Sequence, residues 1–315
     1  MGFLGNFFGP DIKKLLEDEQ YEKIRKLALK DERVVPRLIA QLESKNSQMV
    51  ARAANLLGEI NDPRALPALD RVVGEKSIDD THVSATLGRM SLSLPGSFPQ
   101  YSARKYIDKA AFAAAKKALS KIIHGDEKPL VLALKDKNTA VRAKAAEALG
   151  TSHPSEYAIQ PLIAVSNQDG DLRVRRKARL ALMKIGKPAV QFLVIALGDK
   201  NPLYRRQTAW TLYWLWDRHK VERAAEAFLE ALDKKDISVV AGAYGFFILR
   251  GEVGTEPILI KALENHGHPE MAEHFINCGN TQLEEAGENW SASHGFQVRS
   301  SHFGGGPKWG AGREE

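Results

Sequence analysis

What most constrains this chain is its self-similarity at a fixed spacing. The segments NSQMVARAANLLGEINDPRALPALDRVV (46–73), NTAVRAKAAEALG (138–150), DLRVRRKARLALMKIGKPAVQFLVIALGD (171–199) and DISVVAGAYGFFILRGEVGTEPILIKALE (236–264) each run polar turn, helix, Gly or Asp-Pro turn, second helix. The first apolar residue of each leading helix marks an anchor, at Met49, Val83, Ala113, Val141, Val174, Tyr204 and Val239, with steps of 34, 30, 28, 33, 30 and 35 residues. One unit of two short helices cannot bury its own apolar faces, so neighbouring units must stack. The expected fold is therefore all-α, an α-solenoid of roughly six to eight helix pairs. Twelve positions after an anchor a glycine recurs, at Gly125, Gly186 and Gly251, where a helix end is expected to enter the left-handed conformation and turn.

The stretches DPRALPAL (62–69), VRAKAAEALG (141–150) and IGKPAVQFLVIALGD (185–199) resemble the short HEAT repeats of the family that includes phycobilin lyase subunits. The resemblance covers roughly residues 30–265. It implies the fold and little of the function, because the recurring letters are the turn and core letters of the solenoid itself. On this reading the repeat array spans 1–293, with two helices over 269–293 closing its last open face. The tail, 294–315, has five glycines between Gly304 and Gly312 and is expected to be disordered.

The period fails once. Between 75 and 105 the text is EKSIDDTHVSATLGRMSLSLPGSFPQYSARK, where Pro95, Gly96 and Pro99 forbid a regular second helix. A long irregular excursion in a compact array suits a binding element, which makes Ser91, Pro95, Phe98 and Tyr101 candidate contact residues.

Composition narrows the setting. A single cysteine, Cys278, allows no internal disulfide, no paired Cys or Cys/His pattern exists for zinc, and a reducing cytoplasm is the expected location. MGFLGNFFGPD fits neither a signal peptide nor a membrane span, and Asn6 stands where an N-myristoylation signal needs Ser or Thr. The net charge of +6 is uneven: residues 1–134 carry 21 Lys/Arg against 17 Asp/Glu, 135–220 carry 16 against 7, and 221–315 carry 8 against 15, giving +4, +9 and −7. Such asymmetry orients partners.

In the basic third, Arg173, Arg175, Arg176, Lys177 and Arg179 crowd one helix, and Arg142, Lys144, Arg205 and Arg206 hold related places in adjacent repeats. One reading is structural, with these cations bonding acidic groups in neighbouring turns, which Asp136, Asp169, Asp171 and Asp199 are placed to supply. The other is a contact surface for an acidic protein partner or a phosphate backbone. The stretch YRRQTAWTLYWLWDRH (204–219) adds Trp210, Trp214 and Trp216. With Tyr204 at zero on a helical wheel, Arg206, Trp210 and Trp214 fall at about 200°, 240° and 280°, on one side of the helix. The candidate interaction surface is therefore Arg175, Arg176, Lys177, Arg205, Arg206, Trp210 and Trp214.

Signs of catalysis are few. No G-x-S-x-G, H-E-x-x-H or G-x-x-x-x-G-K-[ST] motif occurs. Within the HEAT family, deoxyhypusine hydroxylases bind iron through His-Glu pairs, and none of the nine histidines here is followed by Glu. ENHGHPEMAEH (264–274) gathers His266, His268 and His274, whose bland reading is polar residues at helix ends and whose sharper reading is a metal site. The expected function is a non-catalytic protein–protein interaction scaffold, without a cofactor. The alternatives are a nucleic-acid-binding HEAT protein with a cleft like that of alkylpurine DNA glycosylases, built on 135–220, and a phycobilin-lyase-like cofactor-handling protein.

Overall fold

The computed structural model describes residues 11–74, 109–152, 155–296 and 306–312. The candidate loop residues Ser91, Pro95, Phe98 and Tyr101, and the anchor Val83, lie outside them. The described chain is all-α, a helical repeat of the solenoid class, with no strand among the described residues. It divides into two compact units, 1–148 and 149–315.

In the first unit, helices α1 (Ile12–Glu17), α2 (Tyr21–Ala28), α3 (Val34–Gln41) and α4 (Ser47–Ile60) lead through a 3-10 turn, Pro63–Ala65, to α5 (Leu66–Val73). Then follow α6 (Lys109–Ile123), α7 (Glu127–Ala133) and α8 (Thr139–Leu149), the last ending at the boundary. The core is aliphatic, with Leu16, Ile24, Leu38, Leu57, Leu69, Ile122 and Leu130 fully enclosed. Helix α4 packs closely on α6, where a Cβ on Gly58 would stand 2.8 Å from the Ala118 Cα.

The second unit contains α9 (Glu156–Gln168), α10 (Leu172–Ile185), α11 (Lys187–Ala196), α12 (Pro202–His219), α13 (Glu222–Asp233), α14 (Ile237–Gly242), α15 (Tyr244–Arg250), α16 (Glu256–His266), α17 (Pro269–Ile276) and α18 (Thr281–Ser293). Stacking runs α10 on α12, α12 on α14, α14 on α16 and α16 on α18. A buried polar link crosses it, from the Asn167 side-chain amide to the Thr208 hydroxyl at 2.8 Å.

Five of the leading helices start by the same local chemistry. Asn46, Asn138, Asp171, Asn201 and Asp236 each accept a hydrogen bond from a backbone N–H in the first turn ahead of them. Just before the cap, the carboxylates of Asp136, Asp169 and Asp199 accept from the backbone N–H of Asn138, Asp171 and Asn201 at 2.7, 2.9 and 2.7 Å. An arginine one turn into the helix then reaches back: Arg142, Arg175 and Arg205 donate from Nη1 to the main-chain oxygens of Asp136, Asp169 and Asp199 at 2.9, 2.5 and 2.9 Å. These arginines take the aspartate carbonyls instead of the expected acidic groups of the same residues, because the carboxylates are occupied in holding the turn.

Two local expectations change. Gly186 and Gly251 have positive φ, +73° and +58°, as expected of helix stops. Gly125 does not, and what requires glycine there is space, since a Cβ would stand 2.7 Å from the Lys121 carbonyl oxygen. The leading helix expected after Asp236 is two helices, broken at Ala243 (φ −110°, ψ 20°). The break follows a close approach, because a Cβ on Gly242 would fall on the Arg206 carbonyl oxygen and the Ala209 methyl.

The glycine-rich end also departs from expectation. Residues 306–312 are described, and they are pinned: Trp309 N–H donates to the Cys278 carbonyl (2.9 Å), Gly310 N–H to that of Ile248 (2.9 Å) and Gly312 N–H to that of Leu249 (2.7 Å). These acceptors stand at the ends of α15 and α17, where helix carbonyls lack intrahelical partners. The Lys308 ammonium adds a bond to the Asn277 carbonyl at 2.6 Å.

Candidate functional site

The cationic residues picked from the sequence separate into two kinds. Arg205 is structural: besides its two turn carbonyls it sets Nε and Nη2 against the Asp236 carboxylate at 2.8 and 3.3 Å. Arg175 is committed to the Asp169 carbonyl, and Arg206 donates to that of His266 at 3.4 Å. Lys177 is half-buried. Arg176 is exposed and has no hydrogen bond or ion pair among the described residues.

Arg179, on the same helix and absent from the candidate surface, completes the picture. Its guanidinium lies 4.7 Å from the centroid of the Trp210 ring. Burial, then the charges of Arg175 and Arg176, lower its pKa to about 10, and its Nε is buried without a partner. Among the described residues no carboxylate offsets this arginine. The signal in the sequence was its position three residues after Arg176, one turn along the same face.

Trp210, Trp214 and Trp216 are all half-buried and pack mainly on one another's neighbourhood. Trp210 meets Trp214 edge-on at 5.9 Å, Trp214 meets Tyr213 at 5.7 Å, and Tyr213 stacks on Trp216 at 6.1 Å. Trp216 in turn sits edge-on to Phe246 at 4.7 Å and carries Lys220 Nζ 4.3 Å from its centroid. The Trp214 indole N–H is buried with no partner among the described residues. The stretch is thus a continuous aromatic layer along α12, with Tyr213 lying over Gly245, rather than an open clamp.

The histidine-rich turn is used otherwise than for metal. His268 caps α17 by accepting the Met271 N–H on Nδ1 (3.3 Å), His274 Nδ1 pairs with the Tyr244 hydroxyl (2.9 Å), and His266 Nε2 stands 3.4 Å from the Ser238 hydroxyl. Among the described residues no three His, Cys, Asp or Glu side chains gather as metal ligands. Burial holds all three imidazoles below their usual range, with Arg206 adding to the effect at His266 and His268; His274 falls to about 4. Cys278 is buried, and burial raises its thiol pKa, as for an inert core residue.

Residues 127–213 match the family model described as HEAT repeats, so the repeats over this stretch are HEAT repeats. No curated protein matches the sequence. Among solved structures, the complex of CpcE and CpcF of phycocyanin lyase from Nostoc sp. PCC7120 is similar at 18% identity, covering 81% of this chain and 92% of that one with a TM-score of 0.26. Two engineered proteins are similar at 18% and 15% identity, covering 83% and 90% of this chain and 98% of each of theirs, with TM-scores of 0.23 and 0.25. No described helix is long and apolar enough to cross a membrane.

Proposed function

We propose that this protein is a non-catalytic interaction scaffold that holds an acidic segment of another protein on the cationic face of α10 and α12. The observation that carries the reading is the charge on α10 left uncompensated among the described residues: Arg176 is exposed and has no ion pair there, and Arg179, with no carboxylate of those residues against it, is pushed down in pKa by burial and then by its arginine neighbours. A cluster of like charges held at a cost in folding energy is stabilised when a carboxylate-bearing partner arrives. HEAT repeats commonly serve protein interaction, which agrees with this reading. A nucleic-acid reading would use the tryptophans as stacking platforms, yet their rings are engaged by Arg179, Tyr213, Lys220 and each other.

The test titrates the full chain with a fluorescein-labelled peptide of alternating Glu and Leu, and separately with labelled duplex DNA, each at two salt concentrations. The expected result is salt-sensitive peptide binding that weakens roughly tenfold in Arg176→Glu. Absence of peptide binding, or a preference for the duplex, overturns it.

A further inference from the structure

A groove of about 710 Å³ opens between α16 and α18, at the end of the second unit opposite in charge to α10. Its floor is apolar: Leu263 and Trp290 are buried, Ile260 and Ala286 half-buried. Each wall contributes one exposed carboxylate, Glu264 from α16 and Glu285 from α18, and neither is ion-paired among the described residues. Among the described residues no Lys or Arg lines it. The surroundings share this sign, since residues 256–296 hold seven glutamates against a single lysine.

The floor is set before any partner arrives. A Cβ on Gly267 would stand 2.7 Å from the Trp290 indole, so glycine at this position lets the ring lie flat against the α16 terminus. His294 stacks on that ring at 4.1 Å and 15°, and Phe296 lies parallel to it at 5.8 Å. A fixed aromatic anchor in an apolar trough loses little side-chain freedom on binding.

We infer that the groove between α16 and α18 is a docking site for a basic amphipathic helix of another protein, its apolar stripe on Ile260, Ala286 and the accessible margin of Trp290 and its cations beside Glu264 and Glu285. The trough runs between two helices and is flanked along both by carboxylates, which matches a helix bearing apolar residues on one face and Lys or Arg at its flanks. This site stands independently of the α10 face, whose partner has the opposite charge; together they would let one scaffold bridge an acidic and a basic partner.

The experiment titrates the full chain with a labelled helix-forming peptide of Leu and Lys, about fourteen residues long, and with its Leu/Glu counterpart, following anisotropy. Saturable binding of the Lys peptide is expected, and any binding of the Glu peptide, which belongs to the α10 face, is expected not to weaken in the groove variants. Glu264→Lys/Glu285→Lys reverses the walls and is expected to weaken it at least about tenfold, and Ala286→Arg, which obstructs the floor, by a similar factor. Glu222→Lys/Glu226→Lys, an equal charge change on exposed α13 residues, is expected to leave affinity within about twofold. Thermal midpoints verify that each variant is folded. Absence of Lys-peptide binding, equal loss in the α13 variant, or undiminished Lys-peptide binding by the groove variants overturns the inference. Self-association of the protein alone that disappears in Glu264→Lys/Glu285→Lys also overturns it, by making the occupant a second copy.

Discussion

Arg205 binds the Asp236 carboxylate with two nitrogens while a third holds the carbonyls of Asp199 and Lys200, so one guanidinium joins the turn before α12 to the cap of α14. Asp236 is itself the N-cap, accepting the N–H groups of Ser238 and Val239. Both side chains are about one-fifth exposed, enough shielding for the pair to matter. Arg205→Ala is expected to destabilise by about 2–3 kcal/mol in urea unfolding, and Arg205→Lys to recover less than half, because an ammonium cannot span three acceptors. Asp236→Asn keeps the cap and loses the ion pair, so it is expected to cost less than Asp236→Ala by about 1 kcal/mol.

Gly242 tests the close contact between α14 and α12. Any Cβ there meets the Arg206 carbonyl oxygen, which belongs to a helix backbone and cannot step aside cheaply. Gly242→Ala is expected to lower stability by about 2 kcal/mol or more, despite alanine's better helix propensity, as measured by the midpoint of urea unfolding. An unchanged midpoint would show that α14 and α12 separate freely.

These two sites also mark how far the sequence reaches. The turn residues Asp136, Asp169, Asp171 and Asp199 were legible, because an Asx side chain acts on backbone two or three residues away and needs no tertiary information. The arginines were legible as residues and not as atoms: whether Arg142, Arg175 and Arg205 take a carboxylate or a carbonyl depends on how the turn is folded. The wheel put Arg206, Trp210 and Trp214 on one side of α12; Trp210 does meet Trp214, while Arg206 donates to the His266 carbonyl, and the wheel could not place Arg179 of the neighbouring helix over Trp210. The glycine-rich tail was misjudged from 306 to 312 because composition counts side chains to bury, whereas this segment is held by its own N–H groups. The acidic groove left one trace, the excess of glutamate over 256–296, which is visible as charge and silent as to shape.

His274 gives a pH prediction with a definite sign. Its folded pKa, about 4, lies below the ordinary 6.5 because burial and nearby His268 disfavour the cation. Between those values the unfolded chain binds the proton and the folded chain does not, so stability falls as pH drops from 6.5 towards 4. The span corresponds to roughly 3 kcal/mol at most. Glu270, whose carboxyl is raised by burial and then by Glu273, works in the opposite direction in the acid range and softens the fall. His274→Gln is expected to flatten this slope while costing some stability at neutral pH through the lost Tyr244 bond. Urea midpoints at pH 7, 6 and 5 measure it; parallel curves for the two proteins would refute the assignment.

The packed tail makes a prediction at Gly251, whose φ of +58° and whose place against Gly310 both require glycine. The two requirements separate in a double-mutant cycle. In the full chain Gly251→Ala is expected to incur left-handed strain of about 1–2 kcal/mol and also to push Gly310 off the α15 terminus. Hydrogen exchange at the Gly310 and Gly312 amides, which donate to α15 carbonyls, is expected to accelerate, and that at Trp309, held by Cys278, to follow as the segment loosens. Removing 306–315 exposes the carbonyls of Ile248, Leu249 and Cys278 and is expected to reduce stability by about 1–2 kcal/mol. In that shortened chain Gly251→Ala is expected to cost only the strain, so the two changes together cost less than their sum. Strict additivity, with unchanged exchange at the three amides, would mean that 306–312 does not hold the end of α15.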